Sequence, residues 1–151
     1  MKVVLATDGS ETSAAATDAL KTVALADGDL VKIISIVDMA VPLAIDIYGG
    51  YLPDTTELEK AAKESAAKVL EETEKKIRVY FPDRELQITT DILFGTPESR
   101  IVETAEEIGC DLIVLGSHGH NGWERLLLGS VSDSVVHHAH CSVLVVRTDE
   151  K

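Results

Sequence analysis

Apolar positions along the chain follow two spacings, one typical of buried strands and one typical of helices with a single apolar face. Short apolar runs at 2–7 and 111–116 predict buried strands, and the apolar-rich segments at 29–38 and 142–147 are predicted to be strands as well. The run at 86–93 alternates apolar and polar residues instead, which predicts a half-exposed strand at an edge of a sheet. Between the strands, apolar residues recur three and four positions apart, which is typical of helices that cover a sheet.

The first two helices are predicted from their apolar faces and end signals. One follows the first strand and is expected to stop at Gly28. The other covers 56–80, with Thr56 and Glu59 in capping-box spacing. The residues expected on the buried faces are Ala16, Leu20, Val23 and Ala24 in the first helix and Leu58, Ala62, Ala66, Val69 and Ile77 in the second.

Two further helices are predicted in the second half of the chain. For the third, Thr96 is the expected cap, Pro97 the first helical residue and Gly109 the end. The fourth is expected to begin near Gly129 or Ser130 and to end near residue 138.

This alternation of strands and helices predicts an α/β fold with one domain over residues 1–151. Five parallel strands would form a sheet covered by helices on both faces. The expected strand order is 3-2-1-4-5, so strands 1 and 4 are central neighbours and the winding reverses between them. Ligands of such sheets bind at the carboxyl ends of the strands, beside that reversal. The loops expected there are "TDGS" (7–10) and "GSHGHNG" (116–122).

Composition and charge limit the kinds of molecule that the protein is expected to bind. The chain has 151 residues, of which 45% are hydrophobic, so it can bury a substantial core. With 26 acidic and 14 basic residues, its formal net charge is −12. Such a surface repels nucleic acid and anionic lipid. A bound phosphate would have to be held by backbone amides and helix ends, or be partly neutralised by a metal ion.

Cysteine use and hydropathy bear on the compartment. Cys110 and Cys141 lack C-x-x-C spacing, so they are expected to be small buried hydrophobic residues rather than a redox or zinc site. The opening "MKVVLATDGS" is too short and too polar for a secretory signal, and no apolar run approaches the roughly 18 residues of a membrane span. We therefore expect a cytoplasmic protein without membrane insertion.

The stretch "GSHGHNGWERLLLGS" at 116–130 is the strongest candidate for a binding site. Gly116 and Gly119 follow the fourth strand, and Gly129 and Ser130 begin the fourth helix. Loop amides and the positive end of a helix dipole together favour a phosphate. The alternative is that the glycines only form a turn and permit close packing, and spacing alone does not separate the two. The chain lacks both the P-loop lysine motif and a G-x-G-x-x-G after the first strand.

The spacing Gly116-x2-Gly119-x9-Gly129-Ser130 resembles the nucleotide motif of the universal stress protein family. The segments "VVLATDGSE", "ISIVD", "GTPESRIVETAEEIGCDLIVLGSHG" and "CSVLVVR" resemble that family as well, so the resemblance covers nearly the whole chain. The motif is typical of the family's ATP-binding branch and absent from its other branch. The resemblance implies a Rossmann-like fold of the adenine nucleotide alpha hydrolase type.

The resemblance also implies a ligand and the residues that contact it. The ligand would be ATP, with AMP or ADP as alternatives, and Mg²⁺ or Mn²⁺ would be carried on the phosphates rather than by protein groups. Ser35 stands where family members often have histidine, and no role is assigned to it. The implied contacts, from the adenine and ribose end to the phosphates, are Ile36, Ala6, Thr7, Asp8, Leu115, Gly116, His118, Gly119, Gly129, Ser130, Val131 and Ser132.

Some of these residues have a second explanation. Asp8 is placed to contact base or sugar, or alternatively to cap the turn that Gly9 and Ser10 form. For His118 we favour a ligand contact over acid–base catalysis, because catalysis needs partners that the sequence does not identify. The stretch "HHAHC" at 137–141 has the composition of a metal site, but histidines are also favourable at the end of a helix.

Three segments are candidates for interfaces. Strand 5 (142–147) would leave an apolar edge, which predicts a homodimer formed by pairing with a second copy, as the family resemblance also implies. The loop at 39–54 is long and apolar, so it would cover a ligand, fill an interface or pack over the second helix. Trp123, in the stretch 120–128, would contact the protein body or a partner.

Three functions remain open from the sequence. The first is a dimeric stress-response or signalling protein that uses ATP as a ligand. The second is an enzyme, either a slow ATP hydrolase or a phosphotransferase, although no residue is identified as its base or attacking group. The third is a binding module without a nucleotide, in which the glycines are structural only.

Overall fold

The computed structural model describes residues 1–38, 55–118 and 128–148, and these contain five strands and four α-helices. The strands are β1 (Lys2–Ala6), β2 (Leu30–Val37), β3 (Gln87–Phe94), β4 (Leu112–Gly116) and β5 (Ser142–Val146). The helices are α1 (Glu11–Ala19), α2 (Thr55–Tyr80), α3 (Pro97–Ile108) and α4 (Ser130–His138). Their order confirms the predicted alternation, and apart from the end of α1 the predicted ends lie within about one residue of these bounds.

The strands form one parallel sheet in the order β3-β2-β1-β4-β5, as predicted. At the centre, Leu5 of β1 is opposite Ile33 of β2 on one side and Val114 of β4 on the other. The winding therefore reverses between β1 and β4. Because all the strands run in the same direction, the loops that follow β1, β2 and β4 leave the same edge of the sheet.

Each face of the sheet is covered by its own apolar cluster. On one face, Leu20 from the turn after α1 and Ile77 of α2 are fully buried. On the other face, Ile101 of α3 and Val135 of α4 are buried in the same way. The central strands are therefore buried on both sides, which explains why they read as continuous apolar runs.

The first helix ends earlier than predicted. α1 stops at Ala19 and is followed only by a 3-10 turn over Leu20–Thr22. The Thr22 hydroxyl donates to the Ala19 carbonyl at 2.7 Å, and Val23 adopts an extended backbone, so the helical ladder is not continued. Val23 still packs against the core, but Ala24 is exposed, and its predicted place on a buried face is wrong.

The second helix is longer than the strands that it covers. Its 26 residues span about 39 Å, whereas the 8 residues of β2 span about 26 Å. Its first turns are exposed, and Leu58 at 54% exposure is not on a buried face as predicted. Ala66 and Ile77 are buried as predicted, together with Leu70. Neither α2 nor any other helix within the described ranges is long and apolar enough to cross a membrane.

The end signals of α3 were read correctly. Thr96 occupies the N-cap position and Pro97 the first helical position, although the Thr96 side chain makes no capping hydrogen bond. Gly109 ends the helix in the left-handed conformation, with a φ of 61°. Glycine adopts this conformation without a steric penalty, which is why it is the usual residue after a helix.

Candidate functional site

The loop at 7–10 and the described start of the loop at 116–122 lie side by side at the carboxyl ends of β1 and β4. The loop after β1 leads directly into α1, and Ser117 and His118 follow β4. α4 begins beside them, because the Gly129 amide donates to the Ser117 carbonyl at 2.8 Å. Two helix amino termini therefore lie near the point where the sheet reverses its winding, which is where ligands of such sheets bind.

The loop after β1 is fixed by its own polar groups. The Thr7 amide donates to the Ile34 carbonyl at 2.9 Å, which extends the pairing of β1 with β2. The buried Thr7 hydroxyl donates to the Ser13 hydroxyl at 3.2 Å. The Ser10 amide donates to the Asp8 carboxylate at 2.9 Å. Asp8 therefore caps the turn, which was the alternative considered for it, while its side chain remains exposed at the edge of the sheet.

Gly9 is required at this turn for two reasons. Its φ is 78°, in the left-handed region where a side chain introduces strain. A Cβ atom at Gly9 would also lie 2.9 Å from Cγ2 of Val69. The turn after β1 is therefore pressed against α2, and Val69 is on the buried side of that helix, as predicted.

The first turn of α1 carries hydroxyl groups that were not among the predicted contacts. Ser10 is the N-cap, and its hydroxyl accepts from the Ser13 amide at 3.3 Å. The spacing of Ser10 and Ser13 at the start of a helix is a capping signal that could have identified Ser10. The Thr12 hydroxyl donates to the His118 carbonyl, from the first turn of α1 to the loop after β4.

Gly116 allows α1 to approach the end of β4. A Cβ atom at this position would lie 2.7 Å from both the carbonyl carbon and the hydroxyl oxygen of Thr12, and 2.9 Å from the Ser13 amide nitrogen. Real side chains are not found at such distances from backbone atoms. Close packing within the chain, the alternative explanation of the glycine motif, therefore accounts for this glycine on its own.

Gly129 is explained in the same way. A Cβ atom there would lie 2.7 Å from the Ser117 carbonyl oxygen. The same carbonyl accepts from the Ser132 hydroxyl at 2.9 Å. Ser132 is only 1% exposed, so its hydroxyl belongs to the connection between β4 and α4. Gly119, the remaining glycine of the motif, lies outside the described residues.

The first turn of α4 nevertheless presents backbone donors. The first helical hydrogen bond runs from the Asp133 amide to the Gly129 carbonyl, at 2.9 Å. The amides of Ser130, Val131 and Ser132 therefore have no acceptor within the helix. Together with the positive end of the helix dipole, such amides favour an anion.

The remaining predicted contacts form the walls around this edge. Ala6 and Leu115 are buried at the ends of β1 and β4. Ile36 is half-buried near the end of β2. The Nδ1 atom of His118, which is also half-buried, lies 3.0 Å from the Ser117 hydroxyl. The structure thus brings the predicted residues that it describes to one edge of the sheet.

Cys110 and Cys141 precede β4 and β5, so both lie at the edge of the sheet opposite the candidate site. Both are free and half-buried, rather than fully buried as expected. Burial, and then the neighbouring Cys141 thiol, raise the pKa of Cys110 to about 12. Cys110 is therefore a protonated thiol near neutral pH, which is the state of an unreactive structural cysteine.

Two of the three histidines at 137–140 lie close to carboxylates, and His138 instead contacts Ser134. The Nε2 atom of His140 lies 2.8 Å from Glu106, and the Nδ1 atom of His137 lies 3.7 Å from Asp133. In the part of the chain that the structure describes, no group of three or more histidine, cysteine or carboxylate side chains is arranged to hold a metal ion. The predicted loop at 39–54 and Trp123 lie outside that part.

Comparison with known proteins points to one family. The model of the universal stress protein family matches residues 1–147. Universal stress protein MJ0531 of Methanocaldococcus jannaschii is 35% identical over 150 residues, which cover 99% of this chain and 84% of that protein. The solved structure of hypothetical protein MJ0577 has a TM-score of 0.82 at 27% identity, over 99% of this chain and 97% of that one. A universal stress protein solved in complex with cAMP has a TM-score of 0.65 at 26% identity, over 97% and 96%.

Proposed function

The chain belongs to the universal stress protein family, and from that premise we propose that it binds an adenine nucleotide, with ATP as the principal ligand. One observation carries the proposal: the first turn of α4 is held directly against the end of β4, next to β1. This places helix amides at the reversal of the sheet, where α/β folds bind ligands. The relative solved with cAMP supports the adenine class.

In this proposal the nucleotide lies across the carboxyl ends of β1 and β4. The free donors at the start of α4 are backbone N–H groups, which bind phosphate oxygens and cannot ligate a metal ion. Mg²⁺ or Mn²⁺ would therefore be held by the phosphates, where it offsets part of the repulsion from a protein with a charge of −12. The proposed contacts are Ala6, Thr7, Asp8, Ile36, Leu115 and Gly116 for the nucleoside, His118 and Gly119 for the phosphates or the ribose, and Gly129, Ser130, Val131 and Ser132 for the phosphates.

We place the protein in stress response or signalling, with ATP as a bound ligand whose presence biases the surface around the site. The second candidate is a slow ATP hydrolase or phosphotransferase. It is favoured by one contact: the Ser117 hydroxyl lies 3.0 Å from Nδ1 of His118 and would orient the imidazole as a general base, whereas Ser117 itself is only 2% exposed and is not placed to attack.

Two measurements separate these functions. Protein purified without added nucleotide is denatured, and the released small molecules are identified; turnover of ATP with Mg²⁺ is then timed. Bound or released adenine nucleotide with negligible turnover supports the ligand role. Sustained turnover that disappears in His118→Ala supports the enzyme. If no adenine nucleotide binds at millimolar concentration, the proposal is wrong and the glycines are structural only.

A pair of substitutions at Ser130 tests the role of the α4 amides. Ser130→Pro removes the amide at the first helical position, where proline is well accommodated, and the extended backbone of Gly129 (ψ 158°) suits a residue before proline. Ser130→Ala removes only the hydroxyl. We expect Ser130→Pro to weaken ATP binding about tenfold and Ser130→Ala to weaken it less, since a hydrogen bond to a charged group contributes about 1.5–3 kcal/mol. Equal affinities of the two variants would contradict the placement of the phosphates.

We also propose a homodimer in which β5 pairs with β5 of a second copy. β5 is the last strand in the sheet, and its apolar residues are half-buried. The Val146 carbonyl accepts from the Ser117 amide at 2.8 Å, so the backbone of Val146 faces β4. Backbone groups alternate along a strand, so those of Val145 face the open edge. That edge provides donors and acceptors for a second copy.

The dimer is tested by removing one backbone donor from this edge. Val145→Pro loses the outward amide, a change that an edge strand tolerates without loss of the pairing to β4. Val145→Ala, the control, keeps the amide. Light scattering coupled to size exclusion should show a dimer for the wild type and Val145→Ala and a monomer for Val145→Pro. A monomeric wild type would refute this part of the proposal.

We further propose a cytoplasmic location. Cys110 and Cys141 are neighbouring free thiols, a state that a reducing compartment maintains. Fractionation of cells that express the tagged chain, with detection in the cytosolic fraction, tests this location.

A further inference from the structure

The Thr12 side chain connects the two loops of the site. Thr12 lies in the first turn of α1 and is half-buried. Its hydroxyl donates to the His118 carbonyl, although the two residues are 106 positions apart in the chain. The same hydroxyl lies 3.2 Å from the Ser10 hydroxyl. Thr12 therefore belongs to the loop after β1 through Ser10 and to the loop after β4 through His118.

The directions of these hydrogen bonds follow from the number of protons. A hydroxyl has one proton, and that of Thr12 is donated to the His118 carbonyl. The Ser10 hydroxyl must then donate to the Thr12 oxygen, while it accepts from the Ser13 amide. The result is a chain from the Ser13 amide through two hydroxyls to the His118 carbonyl. In such a chain each hydrogen bond polarises and strengthens the next.

Gly116 makes room for this connection. The position that a Cβ atom would take at Gly116 is 2.7 Å from the Thr12 hydroxyl oxygen. The Thr12 side chain therefore passes directly over Gly116 on its way to His118. The hydrogen bond from Thr12 to His118 therefore requires a glycine at position 116.

The carbonyl groups after β4 are occupied by donors from the protein. The Ser117 carbonyl accepts from the Gly129 amide at 2.8 Å and from the Ser132 hydroxyl at 2.9 Å. The His118 carbonyl accepts from Thr12 and is thereby directed toward α1. Carbonyl oxygens carry partial negative charge and repel phosphate oxygens, so their engagement within the protein favours an anion at this edge.

We propose that Thr12 is a positioning residue for the polyphosphate of the ligand. Its hydroxyl holds the His118 carbonyl against α1, and so keeps a repelling group out of the phosphate position. This inference rests on the proposed nucleotide site and adds a requirement for a residue that does not contact the ligand. It also predicts a selective effect: the phosphates depend on Thr12, and the nucleoside does not.

Two matched substitutions at Thr12 test this role. Thr12→Val keeps the β-branched shape but removes the hydroxyl, and Thr12→Ser keeps the hydroxyl. Calorimetric titration with ATP and NMR titration with adenosine give the two affinities. We expect Thr12→Val to bind ATP about tenfold more weakly and to bind adenosine within about twofold of the wild type, and Thr12→Ser to bind both like the wild type.

The outcomes distinguish this inference from the proposed function. If the wild type binds ATP and Thr12→Val binds it equally well, the positioning role is wrong and the nucleotide site stands. If Thr12→Val loses ATP and adenosine in the same proportion, or Thr12→Ser fails to restore ATP binding, Thr12 has a general structural role and the inference is also wrong. A wild type that binds neither compound refutes both proposals. Thermal melting of each variant shows whether the fold is retained.

Discussion

Glycines around the site are required by two different constraints. Gly9 adopts a φ of 78°, which a side chain would strain. Gly116 and Gly129 instead lack room for a Cβ atom, because Thr12 and the Ser117 carbonyl are 2.7 Å from where it would be. Gly9 is subject to both constraints, since a Cβ atom there would also lie 2.9 Å from Cγ2 of Val69, and a glycine in the sequence does not indicate which constraint applies.

A substitution at Gly116 measures the second constraint. Gly116→Ala would place a methyl group against the backbone of α1, which cannot yield as a flexible side chain does. We expect a loss of about 2 kcal/mol in the free energy of unfolding, measured with urea. Gly109→Asn is the control, because Gly109 has a φ of 61° with nothing within 4 Å of the added atom, and asparagine tolerates that backbone. Equal losses for the two variants would show that space at Gly116 is not the constraint.

The residues of the site were predictable to different degrees. Asp8 was proposed because it follows a strand at the expected reversal of the sheet, whereas a ligand contact for His118 was implied by the family resemblance. Thr12 was missed because its partner, the His118 carbonyl, is 106 positions away and carries no mark in the sequence. Contacts of this kind depend on how distant segments pack together, and a single sequence contains no direct signal for them.

At the scale of elements, strands and helices were predicted correctly where the local sequence pattern matches the burial that the fold imposes. β1 and β4 are buried on both faces, and their continuous apolar runs show it. The end of α1 was misplaced because the Thr22 hydroxyl takes the Ala19 carbonyl, a local competition that apolar spacing does not reveal. Leu58 was misplaced because α2 is longer than the strands beneath it, a mismatch that appears only once both lengths are known.

A polar contact between α1 and α2 allows a prediction at the same scale. The Tyr80 hydroxyl donates to Asp18, and Nζ of Lys21 lies 3.9 Å from the centre of the Tyr80 ring. The hydrogen bond to Asp18, with burial and the charge of Asp18, raises the pKa of Tyr80 from 10.0 to about 12. Because the folded-state pKa lies above the ordinary value, the contact stabilises the fold fully below the ordinary pKa and loses that effect as the pH rises through about 12.

Tyr80→Phe should therefore lower the free energy of unfolding by about 1 kcal/mol at neutral pH. The difference from the wild type should persist up to the ordinary tyrosine pKa of 10.0 and shrink above it. Urea unfolding at neutral pH and at about pH 11 checks both statements. Val79→Ala, at a neighbouring side chain that is 73% exposed, is the control and should change little. A difference that grows with pH would contradict the assigned hydrogen bond.

At the scale of the whole molecule, the protein and its proposed ligand both carry a negative net charge. A protein with a net charge of −12 repels a free nucleotide triphosphate before any local contact forms. Salt weakens this repulsion, because the screening length falls from about 30 Å at 0.01 M to about 10 Å at 0.1 M. Local amide contacts at the start of α4 are short-ranged and are screened much less.

We therefore expect ATP without a divalent cation to bind more tightly, by several-fold, as the salt concentration rises over that range. ATP with Mg²⁺ should show a smaller increase, because the cation already neutralises part of the charge. Calorimetric titrations at the two salt concentrations provide the comparison. A decrease in affinity with salt is the behaviour of a basic site and would argue against capture by backbone amides.

The two central strands come from opposite parts of the chain. β1 begins at Lys2 and β4 only at Leu112, yet the two strands pair side by side. The contact from Thr12 to His118 likewise joins residues that are 106 positions apart in the chain. During synthesis on the ribosome, no partial chain that lacks β4 has both halves of the candidate site. Under the proposed function, a growing chain would bind nucleotide only after β4 has been synthesised and has paired with β1.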